Sequence, residues 1–222
     1  MKDKPMAGRN VDAVFFDLDG VLVDATEWHY EALNRALGLF GFEITRYEHL
    51  TTYNGLPTRR KLEMLTVEKG LPKALHGLIS RVKQAYTVQE IQTRCWPAFE
   101  KEYMLSRLRR EGYRLAVCSN AVRESVTMML ERSGILGYFE LLVSNEDVAN
   151  PKPDPEIYLE TCRRLGLDPS RVVVVEDAPH GIESARRAGT RVCEVSGFPE
   201  VDWKRLGAFL DSAQREGGAS PC

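Results

Sequence analysis

The sequence predicts an α/β fold: a Rossmann-like parallel sheet with helices on both faces, plus an inserted all-helical cap. Two observations predict it. From residue 98 onward, short apolar runs alternate with amphipathic segments, and glycines follow most of the latter. This alternation is typical of βα units, whose right-handed crossovers place helices on both faces of a parallel sheet. Between residues 24 and 97, only helical periodicity is found, without a clear strand.

The first predicted strand is the buried apolar run at 13–16. Amphipathic helices are then predicted over 26–39, 58–68 and 73–91, separated by glycine and proline. After residue 97 the predicted elements are a helix at 98–111, a strand at 114–118, a helix at 122–133, a strand at 140–143, a helix at 155–165, a strand at 172–175, a helix at 180–188, a strand at 191–195 and a helix near 202–215. The predicted core is therefore 11–23 with 98–215, the cap is 24–97, and 1–10 and 216–222 are expected to be flexible termini.

Composition excludes several classes of protein. The 222 residues carry a net charge of −2 with both signs mixed, so no basic surface for nucleic acid is predicted. No segment approaches the roughly 18–20 apolar residues that span a bilayer, and the first ten residues lack the apolar stretch of a signal peptide. We therefore expect a cytoplasmic protein without a membrane or nucleic-acid partner. The sequence does not determine the oligomeric state; a monomer is slightly favoured.

The five cysteines are few, widely spaced and odd in number, and no C-x-x-C occurs. A disulfide framework or a zinc site is therefore not expected. Cys118, Cys162 and Cys193 fall in predicted strands or on a helix face and are expected to be small buried residues. Cys222 lies in a Gly/Ser/Pro tail that is expected to be disordered.

Two acids, Asp17 and Asp19, directly follow the first strand and precede Gly20. Chemistry in open α/β sheets is found beyond the carboxyl ends of the strands. Two close carboxylates repel each other, and a hard divalent cation such as Mg²⁺ would relieve that repulsion. The alternative is a solvated turn, in which Asp and Gly are common.

Three further strand ends carry polar residues. Ser119 and Asn120 follow the second strand, where a hydroxyl and backbone N–H groups could bind an anion, although both residues also suit an ordinary N-cap. Lys152 lies between two prolines and could direct a positive charge into a cleft; a solvated loop lysine is the alternative. Asp154 and Pro155 together predict an N-cap and the first position of a helix.

A second acidic pair, Glu176 and Asp177, follows four valines. Crowded carboxylates are costly unless paired or bound to a metal. The two acidic pairs together therefore predict a Mg²⁺ site held by Asp17, Asp19, Asp177 and Glu176.

The order of these motifs resembles the haloacid dehalogenase superfamily of phosphotransferases over residues 11–210. The matching elements are Asp17-Leu18-Asp19-Gly20, Ser119-Asn120, Lys152 in Lys-Pro-Asp-Pro, and Glu176-Asp177 followed by Gly181 and Ala188-Gly189. The helical insertion resembles the α-helical cap of the subgroup that contains phosphoglycolate phosphatase and β-phosphoglucomutase. The resemblance implies a cap that closes over the active site.

The resemblance also implies residue roles. Asp17 would be the nucleophile, forming an aspartyl-phosphate, and Asp19 the general acid and base. Ser119 and Lys152 would neutralise charge on the transferring phosphoryl group. Mg²⁺ would be held by Asp17, the backbone carbonyl of Asp19 and Asp177, with Glu176 reaching it through water.

Substrate selection is assigned to the cap. The resemblance implies substrate-binding roles for Asn120, His29, Thr58, Arg59 and Lys83, with Thr26 and Gly55 as further candidates and Arg60 as the alternative to Arg59. For His29 the alternative is a partly buried helical histidine, and for Lys83 an exposed helix lysine is favoured. Trp28, Tyr86 and the leucines of the insertion are expected in the cap core.

The expected function is a Mg²⁺-dependent phosphatase acting on a small phosphorylated metabolite, such as a sugar phosphate. A sugar phosphomutase of the β-phosphoglucomutase type is the nearest alternative. A non-enzymatic binding or regulatory protein that retains the fold is the other. A dehalogenase is not favoured, because displacing halide needs neither a metal nor an acid for the leaving group.

Overall fold

The computed structural model describes residues 9–216, without the side chain of Glu216. Five parallel strands form one sheet with the order β3-β2-β1-β4-β5. Their bounds are β1 Ala13–Phe16, β2 Arg114–Cys118, β3 Leu141–Val143, β4 Val172–Glu176 and β5 Arg191–Glu194. Because β1 lies at the centre, between β2 and β4, the residues that follow it are flanked by both neighbouring strand ends.

Helices cover both faces of the sheet, as predicted. They are α5 Phe99–Arg110, α6 Arg123–Arg132, α7 Glu156–Leu165, α8 Pro179–Arg187 and α9 Trp203–Glu216. Side chains alternate along β1, so Phe16 joins an apolar cluster with α5, α6 and α9, whereas Phe15 joins one with α7 and α8. A strand buried on both faces reads as a continuous apolar run, which is why β1 and β4 were recognisable in the sequence.

The inserted segment is helical. It contains α1 Thr26–Gly38, the single-turn α2 Arg46–Glu48, a π-helix at His49–Tyr53, α3 Thr58–Lys69, a 3₁₀ turn at Lys73–Leu75 and α4 His76–Arg94. Leucines at the predicted helical spacing, Leu33, Leu37, Leu62 and Leu65, pack with Ile79 into a separate cap core. The short helix α2 and the π-helix were not predicted, since both are too short to show an apolar period.

The cap and the core join through buried contacts. Trp28 of α1 and Ile91 of α4 belong to the apolar cluster of the core domain, so the expectation that Trp28 lies in the cap core was wrong. In addition, the side-chain amide of Gln84 in α4 donates to the Ser125 hydroxyl of α6 at 3.0 Å. These contacts hold the cap against the carboxyl ends of the strands.

Several smaller predictions can be compared with the structure. Helix α7 begins at Glu156 rather than at Pro155, and Pro155 occupies the N-cap position predicted for Asp154, whose Oδ1 nevertheless accepts from the Glu156 N–H at 3.0 Å. Asn10, assigned to the N-terminal tail, donates from its backbone N–H to Gln214 of α9 at 2.7 Å. Cys118, Cys162 and Cys193 are free and buried, as predicted. Residues 1–8 and Cys222 lie outside the described residues.

The structure also bears on membrane insertion. Among residues 9–216, no helix combines the length and the apolarity needed to cross a bilayer.

Candidate active site

The polar residues predicted at the strand ends meet around one cavity of about 290 Å³ between the core and the cap. Asp17 follows β1, Ser119 follows β2, and Glu176 ends β4. The predicted site residues that line this cavity are Asp17, Asp19, His29, Thr58, Arg59, Lys83, Ser119, Asn120, Lys152 and Glu176, with Gly55. Asp177 lies beside them in a cluster with Asp17 and Glu176, whereas Thr26 does not line the cavity.

Lys152 is the central cation of the site. Its ammonium donates to Asp17 Oδ1 at 2.7 Å, to Glu176 Oε1 at 2.7 Å and to the Cys118 carbonyl at 2.8 Å. Only 3% of the residue is exposed. Burial alone would lower the pKa of Lys152, but the carboxylates of Asp17 and Glu176 outweigh burial and raise it. The alternative of a solvated loop lysine is therefore wrong, and Lys152 holds a fixed positive charge against Asp17.

Both carboxylate oxygens of Glu176 already have partners. Oε1 accepts from Lys152 and, at 3.2 Å, from the Tyr158 hydroxyl, while Oε2 accepts from the backbone N–H groups of Asp177 and Ala178 at 3.0 Å. Tyr158, on α7, is fully buried and was not singled out in the sequence. Glu176 is thereby fixed on Lys152, and the water-mediated metal contact that the family resemblance implies for it stays a prediction.

Three acids, Glu176 among them, form a group suited to a divalent cation. Oxygens of Asp17, Glu176 and Asp177 lie within 4.8 Å of one another, and Asp177 Oδ1 is buried without a hydrogen-bond partner. Burial, followed by the charge of Glu176, raises the pKa of Asp177 to about 7. A cation would relieve both the missing partner and the repulsion, and hard oxygen ligands suit Mg²⁺.

Gly20 allows this close arrangement. Its φ is +86°, and a β-carbon there would lie 2.2 Å from Asp177 Oδ2. The loop after β1 can therefore approach Asp177 only with glycine at this position.

Asp17 is 8% exposed. Burial raises its pKa well above the ordinary value; Lys152 opposes this, while the neighbouring carboxylates of Glu176 and Asp177 raise it further. The charged form of Asp17 is thus destabilised by its surroundings, at the place where a cation or a phosphoryl group would bind. Its Oδ1 is held in position by the hydrogen bond from Lys152.

Asp19 contacts the cap. Its Oδ1 lies 3.0 Å from His29 Nε2, and His29 Nδ1 lies 3.2 Å from the Lys83 ammonium. Burial would raise the pKa of Asp19, but His29 and Lys83 outweigh it and lower the pKa. Lys83 is partly buried and lines the cavity, so the favoured assignment of an exposed helix lysine was wrong.

Ser119 and Asn120 have distinct partners. Helix α6 begins at Arg123 after Val122, so neither residue is its N-cap. Ser119 Oγ accepts from the Ala121 N–H at 3.0 Å, which leaves its hydroxyl hydrogen free for a ligand. Asn120 Oδ1 accepts from the Lys152 N–H at 3.1 Å, and its Nδ2 donates to the carbonyl of Gly55 at 2.9 Å. Asn120 therefore connects the loop of the central lysine to the cap.

The cap wall of the cavity contains Thr58, the exposed Arg59 and Lys61. Lys61 is 6% exposed, and burial lowers its pKa to about 7. It was missed in the sequence because a lysine within an amphipathic helix is typically solvated; the only signal was its position two residues after Arg59, beside Leu62.

Comparisons with known proteins agree with this geometry. A family model described as haloacid dehalogenase-like hydrolase matches residues 14–195. The chain is 32% identical over 184 residues to a phosphorylated carbohydrates phosphatase of Thermotoga maritima, covering 81% of this chain and 82% of that protein. It is 31% identical over 178 residues to a phosphoglycolate phosphatase of Aquifex aeolicus, covering 80% and 81%. The predictions of the family and of a phosphatase are thereby confirmed.

Solved structures share the fold. A β-phosphoglucomutase from Clostridium difficile superposes with a TM-score of 0.80 at 19% identity, covering 91% of this chain and 98% of that one. CbbY from Rhodobacter sphaeroides, solved with xylulose-(1,5)bisphosphate, superposes with a TM-score of 0.77 at 23% identity, covering 85% and 87%. These similarities establish the architecture of a parallel sheet with a helical cap.

Proposed function

Because the chain belongs to the haloacid dehalogenase-like hydrolase family, we propose that it is a Mg²⁺-dependent phosphatase of a small phosphorylated metabolite, with Asp17 as its nucleophile. The observation that carries the proposal is the position of Asp17. Its carboxylate lies at the end of the central strand, 2.7 Å from Lys152, with Asp19 two residues further along the chain.

The first half of the reaction forms a bond between Asp17 and phosphorus and breaks the ester bond. A carboxylate oxygen of Asp17 attacks the phosphoryl group, and Asp19, which must enter this step protonated, gives its proton to the leaving oxygen and becomes a carboxylate. The ammonium of Lys152 and the free hydroxyl hydrogen of Ser119 face the charge on the phosphoryl oxygens. Phosphoryl transfer depends mostly on positioning and electrostatics, which these fixed groups supply.

The second half releases inorganic phosphate. Asp19 takes a proton from a water molecule, the water oxygen bonds to phosphorus, and the bond to Asp17 breaks. His29, 3.0 Å from Asp19, orients the Asp19 carboxylate toward the leaving oxygen and then toward water.

Asp17, Asp177 and the backbone carbonyl of Asp19 would hold Mg²⁺. When bound, the ion would supply positive charge for the phosphoryl oxygens. The support in this chain is the unpartnered Oδ1 of Asp177 and the crowding of the acids around it.

The cavity volume supports a small substrate. About 290 Å³ is at the lower end of the range for small-molecule sites. The names of the relatives, phosphorylated carbohydrates phosphatase and phosphoglycolate phosphatase, also favour a small phosphorylated metabolite.

The test is hydrolysis of p-nitrophenyl phosphate and a panel of phosphorylated metabolites, with and without Mg²⁺, by the wild type and Asp17→Asn. We expect phosphate release that requires Mg²⁺ and is abolished in Asp17→Asn, while circular dichroism shows an unchanged fold. Substantial turnover by Asp17→Asn would refute the nucleophile. No turnover of any ester by the wild type would favour the non-enzymatic alternative.

A sugar phosphomutase is the second candidate, because the cap is held against the core by the Asn120–Gly55 and Gln84–Ser125 bonds. A mutase must exclude water from the phosphorylated aspartate and present a sugar hydroxyl instead. The test is incubation with β-glucose 1-phosphate, Mg²⁺ and a trace of the 1,6-bisphosphate. Formation of glucose 6-phosphate with little free phosphate would establish the mutase; we expect net phosphate release.

A further inference from the structure

All three N–H donors of the Lys152 ammonium have acceptors inside the protein. They are Asp17 Oδ1, Glu176 Oε1 and the Cys118 carbonyl. In the proposed reaction Lys152 faces the phosphoryl oxygens, so one of these donors has to be shared with them. The donor on Asp17 lies next to the new bond to phosphorus, which leaves Glu176 and Cys118 to hold the ammonium during the transfer.

One of these two anchors, Oε1 of Glu176, depends on Tyr158. This oxygen accepts two hydrogen bonds, from the Lys152 ammonium at 2.7 Å and from the Tyr158 hydroxyl at 3.2 Å. Backbone N–H groups hold only the other oxygen of the carboxylate. Because Lys152 is the group to be positioned, Tyr158 is the donor that fixes Oε1 independently of it.

Tyr158 also contacts the cation itself. The centroid of its ring lies 5.0 Å from Lys152 Nζ, a distance at which a cation is attracted to the face of an aromatic ring. Both side chains are buried, Tyr158 on α7 and Lys152 in the loop that precedes this helix. The tyrosine therefore meets the ammonium with its ring and an acceptor of the ammonium with its hydroxyl.

A purely structural role is the alternative. Tyr158 packs with Phe15 and Ile157 in the apolar cluster between the sheet and helices α7 and α8, and a buried hydroxyl ordinarily has a hydrogen-bond partner. In that case, removing the hydroxyl would lower the stability of the fold and leave the action of Lys152 unchanged. The two roles therefore differ in whether the effect of the hydroxyl requires Lys152.

We propose that Tyr158 is a positioning residue of the phosphoryl transfer: its hydroxyl holds Glu176 so that the Lys152 ammonium stays beside Asp17 while the phosphoryl group is transferred. The proposal rests on the proposed phosphatase function, in which Lys152 faces the phosphoryl group. It assigns the larger effect to the hydroxyl rather than to the ring, because the hydroxyl makes the bond to Glu176.

The test is a double-mutant cycle of Tyr158→Phe and Lys152→Met, assayed with p-nitrophenyl phosphate and Mg²⁺. Tyr158→Phe removes the hydroxyl and keeps the ring. Tyr113→Phe is the matched control: Tyr113 is also buried and has a cation, Arg9, 4.5 Å from its ring, but it precedes β2 at the amino end of the strand, away from the cavity. Circular dichroism and urea unfolding establish that each variant is folded in the assay.

We expect Tyr158→Phe to lower kcat by about tenfold and to change KM by less than about twofold, because a hydrogen bond to a charged group is lost and its effect is realised in the transition state. In the Lys152→Met background, the same substitution should change kcat by less than about twofold. Tyr113→Phe should match the wild type. An equal loss in both backgrounds, or wild-type kcat in Tyr158→Phe, would overturn the proposal.

A binding measurement separates this proposal from the proposed function. Orthovanadate can adopt the trigonal-bipyramidal arrangement of oxygens that phosphorus takes during transfer, and calorimetry with Mg²⁺ present measures its affinity without turnover. We expect Tyr158→Phe to weaken this affinity about tenfold in the wild type and not in Lys152→Met, a pattern that would support the positioning role even if no ester were hydrolysed. Unchanged affinity in Tyr158→Phe would overturn it even if hydrolysis were efficient. A wild type that neither hydrolyses esters nor binds vanadate would overturn both proposals.

Discussion

A β-carbon on Gly181 would lie 1.7 Å from Oε1 of Glu176, the oxygen that accepts from Lys152 and Tyr158. At Gly181, helix α8 thus lies so close to the end of β4 that no residue with a β-carbon would fit there without a shift of Glu176. The position of the central lysine depends in this way on a residue that never touches a substrate.

Gly181→Ala should therefore act on catalysis through Glu176. Displacing Glu176 moves Lys152, and we expect kcat to fall by about 100-fold, as for loss of one positioned group, with a loss of about 1–3 kcal/mol in the free energy of unfolding from overpacking. The measurements are steady-state phosphate release and urea unfolding. Gly38→Ala is the control, because no atom lies within 4 Å of the added carbon; wild-type activity in Gly181→Ala would contradict the argument.

Lys152→Met should lower kcat by a factor on the order of 100 or more, because a positioned positive charge is lost. It should also destabilise the fold by about 3 kcal/mol, since Glu176 is left buried without its cation. Adding Glu176→Gln should recover much of the stability and none of the activity. A normal kcat in Lys152→Met would show that Lys152 has only a structural role. Recovery of activity in the double variant would show the same.

Metal binding should distinguish the two neighbouring acids. Mg²⁺ at about 100 times its Kd stabilises a folded protein by about 2.7 kcal/mol, so the ion should raise the Tm of the wild type. We expect Asp177→Asn to lose this increase and its activity together, because a ligand is removed. Glu176→Gln should keep the Mg²⁺-dependent increase while losing kcat, because both Glu176 oxygens serve Lys152 and the backbone.

The opposite pattern would assign the metal to Glu176. If both variants lost the Mg²⁺-dependent increase, Glu176 would be a ligand as well as a partner of Lys152. If chelation of divalent ions left hydrolysis by the wild type unchanged, the proposed metal dependence would be wrong.

Acid should destabilise the chain through His49. The side chain is fully buried, neither ring nitrogen makes a hydrogen bond, and burial, with the charge of Lys61, lowers its pKa from 6.5 to about 4. The unfolded chain takes up this proton near pH 6.5 and the folded chain only near pH 4. Stability is therefore complete above pH 6.5 and falls as the pH is lowered toward 4, by on the order of 3 kcal/mol.

His49→Leu removes the titrating group and should reduce the difference in unfolding free energy between pH 7 and pH 5. Urea unfolding of both proteins at the two pH values measures it. Other groups titrate equally in both chains, so only the difference between the chains is informative. An unchanged pH dependence would show that His49 is already protonated, or solvated, in the folded protein.

The catalytic end of the sheet could be predicted because it follows local rules. Asp17 and Glu176 each end an apolar run, and strand ends in a parallel sheet converge. Lys61 could not be predicted in the same way. Its helix has apolar residues at Leu62 and Leu65, and only the packing of the cap on the core determines that the lysine next to them faces the cavity.

The hydrogen-bond partners of the site residues could not be predicted from the sequence either. The acidic pair at 176 and 177 reads as two equivalent ligands, yet one acid binds Lys152 and the other has an unpartnered oxygen. That division is made by Tyr158 and by the loop that carries Lys152, which are distant in the chain. The π-helix at His49–Tyr53 likewise depends on how the cap packs, not on a local pattern.

The side-chain amide of Asn120 donates its hydrogen bond to the backbone carbonyl of Gly55, and every residue type has a backbone carbonyl. The contact therefore places no requirement on the side chains that surround position 55. At that position itself, φ of +76° and a β-carbon distance of 3.0 Å from Ala178 require glycine. The rest of the cap loop could thus be exchanged for a different sequence, and so for a different selectivity, without losing the hydrogen bond to Asn120. The glycine at position 55 is the one residue of the loop that this attachment requires.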